Sequence, residues 1–164
     1  MKTSIKVEGL NELRQAMRRL PIELQDKALR PAVAAGAKVI ATEAAALAPE
    51  LKTERPDRVR GLLRRMIRAT GARQRGSEAA AFVSIKMPSG KVATRMAAKL
   101  GKSMKALSPF YWRFLEFGTS RIPAQSFIRK AFDTKKEAAV VAIREALRIG
   151  IANAAAKVAS VRRW

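Results

Sequence analysis

The sequence predicts an α+β fold, with a small antiparallel sheet packed against two or three major helices and a long helix at the C-terminus. Three observations carry this expectation. Alanine-rich stretches with apolar residues at three-and-four spacing fill residues 22–48 and the region after Thr134, which is the period of a helix. Two short runs flank Gly76-Ser77 as the strands of a hairpin would. Finally, Ser108 to Phe132 gathers seven of the nine aromatic residues. Aromatic side chains bury more apolar area than any other, so this stretch holds either the packing centre or a contact surface.

In chain order, Ser4-Ile5-Lys6-Val7 alternates polar and apolar and suits a short edge strand. Leu10, Leu13, Met17 and Leu20 then recur at helical spacing opposite Arg14, Arg18 and Arg19, predicting a helix over about 11–20 that Pro21 interrupts. Ile22 to Ala48 is the longest helical segment of this half, striped by Leu29, Val33, Gly36, Ile40 and Leu47. Pro31 must kink it or restart it, because it supplies no N–H to the preceding turn. Residues 50–60 turn polar and proline-bearing and read as an exposed link. Leu62, Leu63, Met66 and Ile67 suit a helical turn within the ambiguous 62–73, and Phe82, Val83 and Ile85 mark a strand after Gly76-Ser77. Residues 88–107 hold two glycines, five basic residues and no acid, so a mobile basic loop is expected, with room for a short helix over 94–100. Thr134 followed by Glu137 forms a capping box for a last helix, striped by Val140, Ile143, Leu147, Ile151, Ala154 and Val158. Ser160 to Trp164 is a basic tail.

The 164 residues suit one domain over 1–164. Thirty-four basic against 13 acidic residues give a formal charge of +21, which opposes compaction and favours polyanions or acidic proteins as partners. A basic surface kept only for solubility is the plainer reading. Without cysteine there is no disulfide, thiolate nucleophile or Cys-based zinc site; without histidine the usual general base and commonest metal ligand are missing. No phosphate loop, dinucleotide fingerprint or metal-ligand cluster occurs, so the expectation is no enzyme, no cofactor and no metal. MKTSIKVEGL lacks a long apolar run, and no stretch of about 18 apolar residues occurs elsewhere, so a soluble chain made in the cytoplasm is expected.

The aromatic stretch reads as a short helix, a turn and a second helix start: Ser108 can cap, Pro109 suits a first helical position and Gly118 suits a helix end. A strand would mix a charge into the aromatics on each face, so a helix is preferred. Tyr111, Phe114, Leu115, Glu116, Phe117, Gly118 and Thr119, followed by Pro123, Ala124, Phe127, Ile128 and Ala131, resemble the pattern of tail-completion proteins of long-tailed bacteriophages. These are also called tail-to-head joining proteins or minor tail components. A weaker likeness is Ala48-Pro49 followed by Gly61, Leu62, Arg64 and Arg65, and the resemblance implies a strand close behind, so a short helix and then a strand are expected over 62–73. Two departures stand out: Ser126 replaces a usual second proline, which should loosen the bend slightly, and the 50–60 link is longer than usual.

The resemblance implies a virion protein of the phage neck, assembled in the host cytoplasm, that forms a homohexameric ring. It would complete the tail and join the tail tube protein to the head connector or stopper protein, with a passing contact to genomic DNA. Tyr111 to Thr119 and Pro123 to Phe127 are then the structural signature. Candidate subunit or partner contacts are Arg55, Arg58, Arg60, Arg64 and Arg65, together with Lys91, Arg95, Lys99, Lys102 and Lys105. Glu116 is the only acid between Glu78 and Asp133, a span with ten basic residues. It forms either a weak local ion pair with Arg113 or Arg121, or a partly buried pair with an arginine that fixes the Gly118-Thr119 bend. The alternative function, from charge alone, is a non-specific nucleic-acid-binding protein using its basic surface. With no aromatics among the basic runs, only backbone contact would be available to it.

Overall fold

A computed structural model describes residues 10–18, 22–51, 55, 57–71, 79–87 and 89–161. Its elements run α1 (Leu10–Arg18), α2 (Ile22–Leu47), α3 (Leu62–Met66), β1 (Ile67–Gly71), β2 (Ala81–Ile85), α4 (Gly90–Leu100), a 3-10 turn (Met104–Leu107), α5 (Trp112–Phe117) and α6 (Phe127–Val161). β1 and β2 pair in a two-stranded antiparallel sheet, so the α+β expectation holds. The strand expected at residues 3–7, the hairpin turn at Gly76-Ser77 and the last three residues of the basic tail lie outside the described residues. The chain falls into two compact units: Met1–Val39, Ala69–Phe82 and Lys135–Trp164 form one, and Ile40–Arg68 and Val83–Thr134 the other.

The first unit is built from α1 and from parts of α2 and α6. Met17, Ala28, Ala32 and Leu147 form its buried centre, with Leu13, Leu29, Ile143 and Ile151 packed around them. Small residues set the spacing. A Cβ added at Gly36 would lie 2.5 Å from Ile143 Cγ1, and one at Gly150 would lie 3.0 Å from the Ala28 Cβ. The two helices therefore approach through glycine and alanine, and the pairs Ala28/Gly150 and Gly36/Ile143 run antiparallel. α2 continues through Pro31 as one helix rather than restarting. α6 likewise has no start at Thr134, where a capping box is expected. It begins at Phe127, and the Thr134 hydroxyl instead donates to the Lys130 carbonyl at 2.8 Å, as a threonine inside a helix does.

In the second unit Val59, Leu62, Met66, Ala97 and Leu107 form the core, flanked by Ile85, Met87, Met96 and Leu100. The short helix followed by a strand after Leu62 is present as expected. Residues 88–107 differ from the coreless loop expected there: they carry α4 and the 3-10 turn, and Ala93, Ala97, Ala106 and Leu107 are buried. The physical reason is that alanines supply much of the buried side, so an apolar inventory that leaves alanine out misses the stripe. Gly101 (φ 59°) ends α4 rather than interrupting a loop. Its N–H meets the Ala98 carbonyl at 3.3 Å and the Lys102 N–H meets that of Ala97 at 3.1 Å, which is the Schellman arrangement.

Candidate functional site

The aromatic stretch folds into α5, a bend and the first turns of α6, all inside the second unit. Helix is found, not strand, but it starts later than the sequence suggests. Ser108 closes the preceding 3-10 turn, the Trp112 N–H reaches back to the Pro109 carbonyl at 3.0 Å, and α5 begins at Trp112. At its end the Gly118 N–H bonds to the Phe114 carbonyl at 3.0 Å. Gly118 has φ 77° and ψ 176°, a region essentially restricted to glycine. A Cβ there would also lie 2.9 Å from the Ala124 nitrogen.

The bend is stitched at several points. The Thr119 N–H donates to the Ile122 carbonyl at 2.8 Å, and Thr119 Oγ1 accepts from the Ile122 and Arg121 amides at 3.1 and 3.3 Å. The Gln125 N–H donates to the Leu115 carbonyl at 2.8 Å. The Ser126 hydroxyl donates to the Glu116 carbonyl at 3.1 Å.

Glu116 lies at the centre and is only 5% exposed. Its Oε2 accepts from the Ile128 N–H at 2.9 Å and its Oε1 from the Arg129 N–H at 3.1 Å. These are the second and third residues of α6, whose N–H groups have no partner within the helix. Glu116 therefore caps a helix eleven residues downstream, and its negative charge lies at the positive end of the α6 dipole. The burial expected of Glu116 is found, but its partner differs: among the described residues no ion pair joins it to an arginine.

Ser126 has φ 47°, which a proline ring, fixed near −65°, cannot adopt. The serine is therefore not a slackened proline. It permits the left-handed entry into α6 and adds a hydrogen bond of its own.

The platform so fixed presents its rings outward. Phe127 is 1% exposed and Tyr111 and Trp112 are half-buried, but Phe110, Phe114 and Phe117 are 58%, 47% and 66% exposed. Phe132 and Ile122 are exposed as well. Of the two readings left open by the sequence, a packing centre or a contact surface, most of the rings follow the second.

Arg58 packs against the base of this surface. Its guanidinium lies 4.4 Å from the Tyr111 ring centroid and 5.2 Å from that of Phe110, and the two rings meet edge to face at 5.9 Å. Burial pushes the Tyr111 hydroxyl above the ordinary tyrosine value, and the Arg58 charge opposes that rise. Beside them a cavity of about 230 Å³ is lined by Pro49, Leu51, Val59, Tyr111, Leu115 and Gln125, among others.

The ten basic candidates all belong to this same unit. Arg55, Arg60, Arg64 and Arg65 are exposed, as are Lys91, Arg95 and Lys99 on α4 and Lys105 on the 3-10 turn. Some are already engaged. Lys102 Nζ donates to the Arg55 carbonyl at 3.2 Å, Arg60 lies 3.6 Å from Glu50, and Arg58 lies 3.6 Å from Asp57. Within the 50–60 link, the described residues Glu50, Arg55, Arg60 and Val59 are thus engaged, Val59 being buried in the core. Among the described residues no cluster of histidine, cysteine or acidic groups could hold a metal, and no helix is long and apolar enough to cross a membrane.

Residues 11–118 match the family model described as "Bacteriophage HK97-gp10, putative tail-component". The chain belongs to this family. Membership in the HK97-gp10-like family makes it a structural phage tail protein and agrees, at that level, with the tail-completion resemblance. The match runs from α1 to the Gly118 bend and ends before the Pro123–Phe127 run and α6. No curated protein and no solved structure gives a significant match.

Two features of the site escape a reading of the sequence, the α6 amides that hold Glu116 and the left-handed Ser126, while the outward rings are one of the two readings it left open. For Glu116 a signal was present, since a lone acid shortly before a helix start is where a capping carboxylate is wanted.

Proposed function

We propose that this tail protein completes the phage tail and joins the tail tube to the head connector or stopper in the neck, assembling as a homohexameric ring after synthesis in the host cytoplasm. The observation that carries this reading is the row of exposed phenylalanines on a platform locked by Glu116 and Gly118. A strongly charged protein gains nothing in solution from leaving Phe110, Phe114 and Phe117 in water, and exposed apolar patches of this kind mark protein contacts. A rigid platform loses little entropy on docking, so the contact energy of the rings is kept. Function is then assembly by one domain, without chemistry: aromatic contacts hold a neighbour, and the surrounding basic residues select it and set the rate of encounter. The parts of the basic segment over 88–107 outside α4 become fully ordered at that step, and genomic DNA passes close to the segment.

Electron microscopy of the purified protein, alone and with tail-tube protein, tests this. Rings or capped tubes are expected for the natural protein. The double variant Phe114→Ser/Phe117→Ser should melt as the natural protein does, because both rings are exposed, yet fail to assemble. Absence of rings and capped tubes from the natural protein, or normal assembly by the double variant, would overturn the proposal.

A further inference from the structure

α4 carries Lys91, Arg95 and Lys99 at four-residue intervals. All three are exposed, on the side opposite the buried Ala93 and Ala97. At 1.5 Å of rise per residue they advance about 6 Å per step while turning about 40°, a gently winding row of cations about 12 Å long. Among the described residues no ion pair engages any of them, and no acid occurs in the sequence between Glu78 and Glu116. α3 packs on the same core through Leu62 and Met66 and adds the exposed Arg64 and Arg65.

This helix works against itself electrostatically. Like charges four residues apart repel, and Lys91 lies in the first turn, at the positive end of the helix dipole, where the first turn holds no acid. Apolar burial holds it together; in the free protein only water and dissolved ions answer the row of charge, which favours a polyanion as its partner.

We propose that α4 is a sequence-independent contact for the DNA backbone, with Lys91, Arg95 and Lys99 each neutralising one phosphate. Duplex DNA presents about one charge per 1.7 Å of axis, so a 12 Å row always meets several phosphates whatever the sequence. Beyond its three cations, which the row sets along the backbone, α4 offers no side chain suited to reading a base. It has no aromatic, asparagine or glutamine, and the Thr94 hydroxyl is turned back onto the Gly90 carbonyl at 3.4 Å. An acidic protein is the weaker fit, because Val92 is the one large apolar side chain exposed on α4, whereas the rings that would anchor a protein lie on the α5 platform.

The test is the salt dependence of binding to a random-sequence duplex, measured by fluorescence anisotropy on the full chain between about 50 and 200 mM salt. The variant K91Q/R95Q/K99Q should flatten the slope of log K against log salt by about 2.7, since each contact contributes about 0.9. It should weaken binding about 10²-fold near 0.1 M salt. R14Q/R18Q/R148Q removes the same charge from exposed positions on α1 and α6 and should change the slope by less than about one contact's worth. Glutamine keeps helix propensity, and the charge-preserving variant K91R/R95K/K99R should bind as the natural protein does even if melting shifts. Equal losses in the two glutamine variants would make the binding diffuse charge only. Poly-glutamate binding as tightly as duplex, with the same dependence on α4, would reassign the row to an acidic protein. Either result, or no duplex binding at about 50 mM salt, overturns the proposal. DNA contact stands apart from the neck role, because it is measured on the isolated protein and survives a failure to assemble on tail tubes.

Discussion

Glu116→Gln probes the joint on which the platform depends. In the native chain the carboxylate accepts two backbone N–H groups of α6 at 2.9 and 3.1 Å while almost wholly buried. Glutamine offers one acceptor oxygen, and its amide NH₂ must face the other N–H. One bond is lost, two donors oppose each other, and the charge at the dipole end disappears. Capping losses run about 0.5–2 kcal/mol, and hydrogen bonds to charged groups about 1.5–3 kcal/mol. The relief of desolvating a buried carboxylate offsets part of this. The net expectation is a loss of about 2 kcal/mol for Glu116→Gln and about 3 kcal/mol for Glu116→Ala, which also leaves a void. For a chain of this size, about 2 kcal/mol corresponds to a Tm lowered by about 4–8 °C.

Thermal unfolding by circular dichroism gives the magnitude, and amide hydrogen exchange gives the place. Protection should fall at Ile128 and Arg129 more than in the first unit, because those two amides lose their acceptor. If Glu116→Gln melts within about 1 °C of the natural protein, the cap contributes nothing measurable on that scale. If instead Arg113→Ala or Arg121→Ala destabilises as much as Glu116→Gln while exchange at Ile128 and Arg129 is unchanged, an arginine pair is what matters and the capping account is wrong.

Gly118→Ala should cost about 3 kcal/mol or more, because it combines a glycine-only backbone region with a Cβ 2.9 Å from the Ala124 nitrogen; a melting temperature equal to the natural protein's would show that the bend rearranges freely. Gly36→Ala should destabilise by about 1 kcal/mol, overpacking against Ile143 outweighing the gain in helix propensity, and the loss should vanish in an Ile143→Ala background, so additive effects in denaturant titrations would argue against the contact. Tyr111 is the only tyrosine, so ultraviolet titration of its phenolate is unambiguous and should place its pKa above the ordinary value of about 10. Since the folded value lies above the unfolded one, this group's contribution is complete below about pH 10 and is lost as pH rises through the folded pKa; Tyr111→Phe should remove that alkaline component of the melting curve.

What the sequence made legible was local. The stripes of α1, α2 and α6, the helical turn from Leu62 to Met66 and the helical character of Tyr111 to Phe117 follow from local spacing, because each depends on residues within a turn or two, whereas β1 followed from the family likeness. α4 was obscured because its inward side is largely alanine, the residue least able to announce whether it is buried. A helix start before Phe132 was legible, but the cap of α6 was assigned to the wrong residue for a different reason. Thr134 and Glu137 spell a capping box, but the competing cap comes from Glu116, on another element, and long-range capping outweighs a local signal when the carboxylate is charged and buried.

The same reasoning explains why the chemistry of Glu116 was half visible. An isolated acid in a basic stretch invites pairing with the nearest arginine, since side chains have letters in the sequence and backbone amides do not. Yet α6 has unpaired N–H groups at its start wherever it begins, and arginines on an exposed bend are already satisfied by water. A buried carboxylate gains more from two oriented amides, which lose no side-chain entropy, than from a mobile guanidinium that would have to be buried with it. Holding the bend by its backbone has a further effect: Phe114 and Phe117 take no part in fixing it with their rings and Arg113 only stacks on Trp112 at 5.7 Å, so the groups that fix the platform are largely separate from those offered to a neighbour.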